Sequence, residues 1–119
     1  DLYCVHLDLL QKGRNKQIRH IFKTISEKSI DTPYIIAGDF NDWNFKLDNF
    51  INTHLKIHES SYKINRKFTK TFPSFLPVMC LDRIYTKGFL PLRILNPHNR
   101  NAIKLSDHLP LMIEARLNE

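Results

Sequence analysis

Glycine is scarce in this 119-residue chain, with 3 in all, and there are only 2 cysteines and 1 tryptophan. So little glycine excludes a collagen-like or low-complexity polymer, and 6 prolines are too few for an extended proline-rich linker. The cysteines, Cys4 and Cys80, are too few for a disulfide framework and lack metal-ligand spacing. Both lie in apolar, strand-like segments, so the expectation is two buried thiols, with a single disulfide between them left open. No apolar run approaches the length that crosses a bilayer, so no transmembrane segment is expected. Acidic residues are outnumbered, 12 against 18 Lys and Arg, for a formal charge of +6. That excess favours anionic partners such as nucleic acid, phosphorylated metabolites or acidic headgroups. Because the basic residues are spread along the chain, simple solubility is the alternative. An initiator methionine and a leader are missing too, and the chain opens at Asp1 directly into a strand. It therefore reads as a piece of a longer protein, its compartment unreadable, with a cytoplasmic setting the default.

What is present suffices for one domain. Apolar residues make up 42% and charged ones 25%, and a chain of this size hides roughly two-thirds of its unfolded surface on folding. Leu2 to Leu7 is apolar on both faces, which predicts a central strand covered on both sides. From Arg14 to Lys28, Ile18, Ile21, Phe22 and Ile25 recur at helical spacing, leaving Arg14, Lys16, Arg19 and Lys23 for an outer basic surface. Asp31-Thr32-Pro33 breaks the helix, and Tyr34 to Ala37 is a β-branched run closed by Gly38. The unit is β-α-β, with parallel strands and a right-handed crossover. Phe45 to Leu55 predicts a short helix, Ser60 to Lys70 a loop, and the two prolines of Thr71 to Pro77 argue against a central strand. Met79 to Thr86 and Leu90 to Leu95 predict strands joined by a Lys87-Gly88 turn, and Leu109 to Leu117 the last strand.

Polar clusters stand at the ends of these apolar runs. In Gly38-Asp39-Phe40-Asn41, Asp39 and Asn41 are two apart, so an extended backbone sends both side chains to one face. A carboxylate beside a neutral amide suits a hard cation and a phosphate oxygen. In Leu81-Asp82-Arg83-Ile84-Tyr85, Asp82 shares a face with Ile84, and an acid on an apolar face needs a partner. Two are open, His108 and a basic side chain such as Arg83; a histidinium at about 4 Å returns roughly 4 kcal/mol at a surface-like dielectric. Ser106-Asp107-His108 precedes the final strand, and both Asp107 and His108 reach one site only if the backbone is irregular there. His6, at the end of the first strand, lies in line for the same pole as Asp39, its alternative role being a core histidine. His54 and His58 read as surface residues, since no third ligand accompanies them. Trp43, Phe72 and Phe75 are stacking groups or loop anchors.

In this order, Val5-His6-Leu7, Gly38-Asp39-Phe40-Asn41, Leu81 to Tyr85 and Ser106-Asp107-His108-Leu109-Pro110 resemble the endonuclease/exonuclease/phosphatase superfamily, the deoxyribonuclease I-like phosphoesterases. The resemblance implies an α/β fold, a four-layer sandwich of which residues 1–119 form the carboxyl-terminal half, one mixed sheet with a flanking helix. The amino-terminal half is absent. It implies metal-assisted in-line hydrolysis of a phosphodiester or phosphomonoester, with Mg²⁺, or Mn²⁺, as cofactor. Asp39 would bind or orient the attacking water, by way of a second metal position; Asn41 would steady the phosphate; Asp107 would lie at the metal site. His108 would contact the scissile phosphate and move a proton, Asp82 would fix and charge His108, and His6 would be a second active-site histidine. The partner would be a phosphate-ester substrate, nucleic acid or a phospholipid or inositol-type headgroup. One departure matters: the superfamily's amino-terminal half supplies an Asn and the main metal-ligand Glu, and Glu27, Glu59, Glu114 and Glu119 stand in no matching context. Weak metal binding and little turnover are expected of these residues alone, as is self-association through the uncovered sheet face. The rival class is a non-catalytic, basic anion-binding module built on the same fold.

Overall fold

Two hydrogen-bonding ladders organise the computed structural model, which describes all 119 residues. Strand β1 (Leu2–His6) leads through helix α1 (Gln11–Ser26) to β2 (Tyr34–Asp39), and β1 and β2 pair in parallel, as the β-α-β pattern predicts. Helices α2 (Lys46–Leu55) and α3 (Ser60–Asn65) follow, then β3 (Asp82–Lys87), antiparallel to β2. Strand β4 (Phe89–Leu95), helix α4 (Arg100–Leu105) and β5 (Met112–Leu117) complete the chain, with β4 and β5 paired antiparallel in a second sheet. The class is α/β with sheets and flanking helices. The strands, however, are divided between a three-stranded mixed sheet and a two-stranded antiparallel one, where the sequence reading has a single sheet.

Register decides which side chains meet. Across the first sheet His6 is opposite Asp39 and Asp39 opposite Asp82, so the three stand abreast at one end of the same face. On the other face Tyr34, Ile36 and Tyr85 form the core with Ile18 of α1, Leu47 and Ile51 of α2, and Phe40 and Leu7. At about 25 cal/mol per Å² of apolar surface, each of these buried side chains contributes roughly 1.5–3 kcal/mol. Gly38 is required where β2 crosses β1: it has φ +141°, and a Cβ there would lie 1.9 Å from the Val5 carbonyl oxygen.

Several expectations are corrected. Strand β1 lies at an edge, with β2 central, and Leu2 and Cys4 are exposed, so β1 is covered on one face only. The thiols are therefore not both buried: Cys4 is exposed, Cys80 half-buried, and both are free. Arg14 leaves the basic outer surface; it is 2% exposed and donates to the Asp8 and Leu9 carbonyl oxygens, tying down the turn that starts α1. The supposed 60–70 loop contains α3, because Glu59 turns inward and accepts the Tyr62 N–H at 3.0 Å as its cap. Lys87-Gly88 is a passage between sheets, not a hairpin turn, as β3 and β4 pair with different partners. Helix α4, begun by an Asn99 side chain that accepts the Ala102 N–H, carries no apolar periodicity and escapes a pattern reading. No helix is long and apolar enough to cross a membrane.

Candidate active site

The segment carrying His108 is built by backbone and hydroxyl staples. Ser74 N–H donates to the Asp107 carbonyl and Leu109 N–H to the Thr71 carbonyl, at 2.7 and 2.8 Å. Ser74 Oγ donates to the Ser106 carbonyl at 2.7 Å, and Ser106 Oγ accepts the His108 N–H at 3.1 Å. Leu109 is 2% exposed and anchors the turn in the interior. This irregular backbone is what allows His108 to swing back over the sheet end, where its ring sits 4.9 Å from that of Phe72.

There His108 Nδ1 donates to Asp82 Oδ2 at 2.7 Å. The Asp82 carboxylate also accepts the Thr71 hydroxyl, while the Asp82 N–H donates back to the same Thr71 oxygen at 3.2 Å. Of the two partners open for Asp82, the structure selects His108; Arg83, on the opposite face, pairs with Asp42 instead. With Nδ1 committed, His108 Nε2 lies 3.7 Å from Asp39 Oδ2. His6 Nε2 stands 3.8 Å from the same oxygen, its side chain 81% exposed, so His6 is a rim residue and not a core histidine. Burial acts to lower the His108 pKa, but the hydrogen bond to Asp82 and the charges of Asp82, Asp39 and Asp107 outweigh it, and the imidazole titrates above its ordinary value.

Asp39, Asp82 and His108 bring ligand atoms within 4.8 Å of one another, a group able to hold a metal ion. They open into a cavity of about 1000 Å³ also lined by His6, Asn41, Trp43, Phe72 and Asp107. Asn41 does not share an extended backbone with Asp39. The strand ends at Asp39, Asn41 has φ +48°, its N–H turns back to Asp39 Oδ1 at 2.8 Å, and its Nδ2 donates to the Leu7 carbonyl at 2.6 Å. Asn41 still lines the cavity, with Oδ1 its free polar atom. Asp107 reaches the rim and contributes charge, but stands outside the three-residue group. His54 caps its own helix, Nδ1 lying 2.8 Å from the Phe50 carbonyl, away from the site. Thr71 and Ser74 escape sequence reasoning, since only their lone hydroxyls in a proline-interrupted stretch mark them.

The sequence profile described as the endonuclease/exonuclease/phosphatase family matches residues 4–108. The chain belongs to that family. It is 33% identical over 121 residues to the uncharacterized protein YbhP of Escherichia coli, covering 96% of this chain and 45% of that one. A functionally unknown conserved protein from Enterococcus faecalis superposes with a TM-score of 0.80 at 22% identity, over 98% of this chain and 50% of that one. The mannosyl-6-phosphatase of Bacteroides thetaiotaomicron superposes with a TM-score of 0.78 at 20% identity, over 98% and 51%. The chain thus spans about half the length of the proteins it matches. Both structural likenesses establish the deoxyribonuclease I-like fold. Members of the family are phosphoester hydrolases that generally depend on a divalent metal.

Proposed function

We propose that these residues form two walls of a metal-dependent phosphoester hydrolase site. The observation that carries the reading is the relay Asp82–His108–Asp39, with an imidazole fixed at Nδ1 and its Nε2 turned to a carboxylate in an open cavity. The donor set fits a hard divalent cation: Asp39 Oδ2 has no N–H or O–H within hydrogen-bond distance, and Asn41 and Asp107, both oxygen-bearing residues, line the same cavity. Asp39, assisted by Asp107 and Asn41 Oδ1, would hold Mg²⁺ or Mn²⁺, and the bound ion would supply charge stabilisation for the phosphoryl oxygens.

The chain's own groups divide the remaining work. Asp82 holds the imidazole in the tautomer that points Nε2 inward and stabilises its protonated form. His108 in that form donates from Nε2 to a non-bridging oxygen or the leaving oxygen of the ester. Asp39, in holding the ion, would orient the attacking water in line. His6, at the rim, reaches the phosphate or leaving group from the other side of Asp39. A principal carboxylate is still wanting, and the remaining length of the relatives is its proposed source.

The test joins this chain to the amino-terminal portion of the Escherichia coli relative and assays a panel of phosphomonoesters and phosphodiesters. Hydrolysis should require Mg²⁺ or Mn²⁺, stop on chelation, and fall by roughly 10² to 10⁴ in His108→Ala. A folded joined polypeptide without metal-dependent hydrolysis on any substrate would overturn the reading.

A further inference from the structure

Asp82 and Arg83 are neighbours on β3, and Asn41 and Asp42 are neighbours in the loop after β2. In each pair one residue lines the cavity and the other is buried. The two buried residues meet. Arg83 Nη1 donates to Asp42 Oδ2 at 2.8 Å and Nη2 to the Asp42 carbonyl at 2.5 Å, with side chains 1% and 0% exposed. Arg83 Nε donates to the Cys80 carbonyl at 3.0 Å, and the Phe45 and Phe68 rings lie 4.7 and 5.3 Å from the guanidinium carbon. Asp42 is equally committed, accepting the Leu47 and Asp48 N–H groups at 3.0 Å each. It thereby caps α2 in place of Phe45, whose side chain makes no capping bond.

We propose that the Arg83–Asp42 pair is a positioning device that sets the separation between the Asp39–Asn41 wall and the Asp82–His108 wall. The proposal rests on the phosphoesterase reading only for its catalytic consequence. Stability alone does not call for such a pair, since apolar residues of similar volume often replace a buried ion pair without loss. What they lack is direction: a guanidinium fork bound at two points fixes distance and angle together. The sheet register places Asp39 opposite Asp82, but β2 ends there and the backbone leaves the sheet through Asn41. Past that point the Phe40 N–H to Leu81 carbonyl bond and the Arg83–Asp42 pair tie the loop to β3. Asp39, Asn41, Asp42, Arg83 and Asp82 form a closed loop of constraints, and cutting it at the buried pair frees one wall to drift.

Two variants test this. Arg83→Met combined with Asp42→Asn removes both charges and keeps one amide oxygen to cap α2, giving up one of the Leu47 and Asp48 N–H bonds, while Arg83→Lys keeps the charge between the rings and loses the fork. In the joined polypeptide without substrate, proton NMR reads the His108 Nδ1–H held by Asp82, and amide spectra report the fold. The expected result is a folded chain in which exchange of that ring proton with water is roughly tenfold faster or more, as the bond loosens. In the joined polypeptide, kcat should fall by about 10²-fold with KM little changed, as for a catalytic group displaced by about 1 Å. A folded double variant with wild-type ring-proton exchange would overturn the proposal and leave the pair a structural one. Should the double variant not fold, Arg83→Lys decides by the same measurement, unchanged exchange again overturning it. Because the ring proton is read without substrate, failure of every variant and the parent to hydrolyse anything counts against the phosphoesterase reading and not against positioning.

Discussion

His108 is raised above its ordinary histidine pKa by a partner that also fixes its ring, so its charge and its place are one property. A group whose folded pKa is raised stabilises the fold fully below its unfolded value, about 6.5, and loses that contribution as pH rises through the folded value. In metal-free buffer the stability gap between the parent chain and Asp82→Asn should therefore be widest below about pH 6.5 and shrink above it. Urea unfolding across that range checks this; a gap that grows with pH would refute it. Gly38 gives a second residue-scale expectation. Gly38→Ala puts a Cβ 1.9 Å from the Val5 carbonyl oxygen at φ +141°, so about 2 kcal/mol or more should be lost, read as a lower urea midpoint. At this scale the candidate residues were legible because their types were out of place, as with an acid on an apolar strand face. Arg83 carried the same signal, alternating onto the core face beside Tyr85, but its anion was invisible because Asp42 lies 41 positions away in sequence.

At the level of elements, caps and register rather than apolar periodicity decide where structure begins. Helix α3 exists because Glu59, 2% exposed, accepts from Tyr62 N and also from Ile84 N at 3.4 Å, joining the helix start to β3. Burial raises the Glu59 pKa despite these bonds, and each of its two oxygens accepts a different backbone N–H. Glu59→Gln turns an amide NH2 toward the Tyr62 or the Ile84 N–H and should cost about 1 kcal/mol, whereas Glu59→Ala removes both acceptors and should cost about 1–3 kcal/mol, measured by thermal unfolding. The β-α-β unit was legible from alternation and a helical stripe. Helices α3 and α4 were not, since each spans only 6 residues and owes its start to one side chain.

At the scale of the whole molecule, apolar side chains stand exposed on both sheets. Leu90, Leu92, Met112 and Leu117 of the β4–β5 pair are between 43% and 51% exposed, and Leu2 at the edge of the first sheet is 65% exposed. Apolar surface on this scale seeks cover. We predict that the chain alone self-associates and binds a hydrophobic dye, and that the joined polypeptide does neither; a dye-silent monomer of the isolated chain by light scattering would refute this. The proposed function makes a parallel demand on chemistry, since two walls of the cavity come from these residues while the third is proposed to come from the remaining length of the relatives.

The sequence by itself determined the α/β class, the parallel β-α-β unit and the identity of the polar clusters, because alternation, helical spacing and misplaced polar residues are local properties of a chain. The family followed from their order. Only the tertiary structure decided that His6, Asp39 and Asp82 stand abreast, that His108 rather than Arg83 takes Asp82, and that Asn41 leaves the strand. It also divided the strands between two sheets and buried Arg14 and Arg83. Those outcomes depend on which distant groups satisfy a buried charge or an unpaired donor, and that choice is made when segments far apart in sequence are brought within about 3 Å of each other.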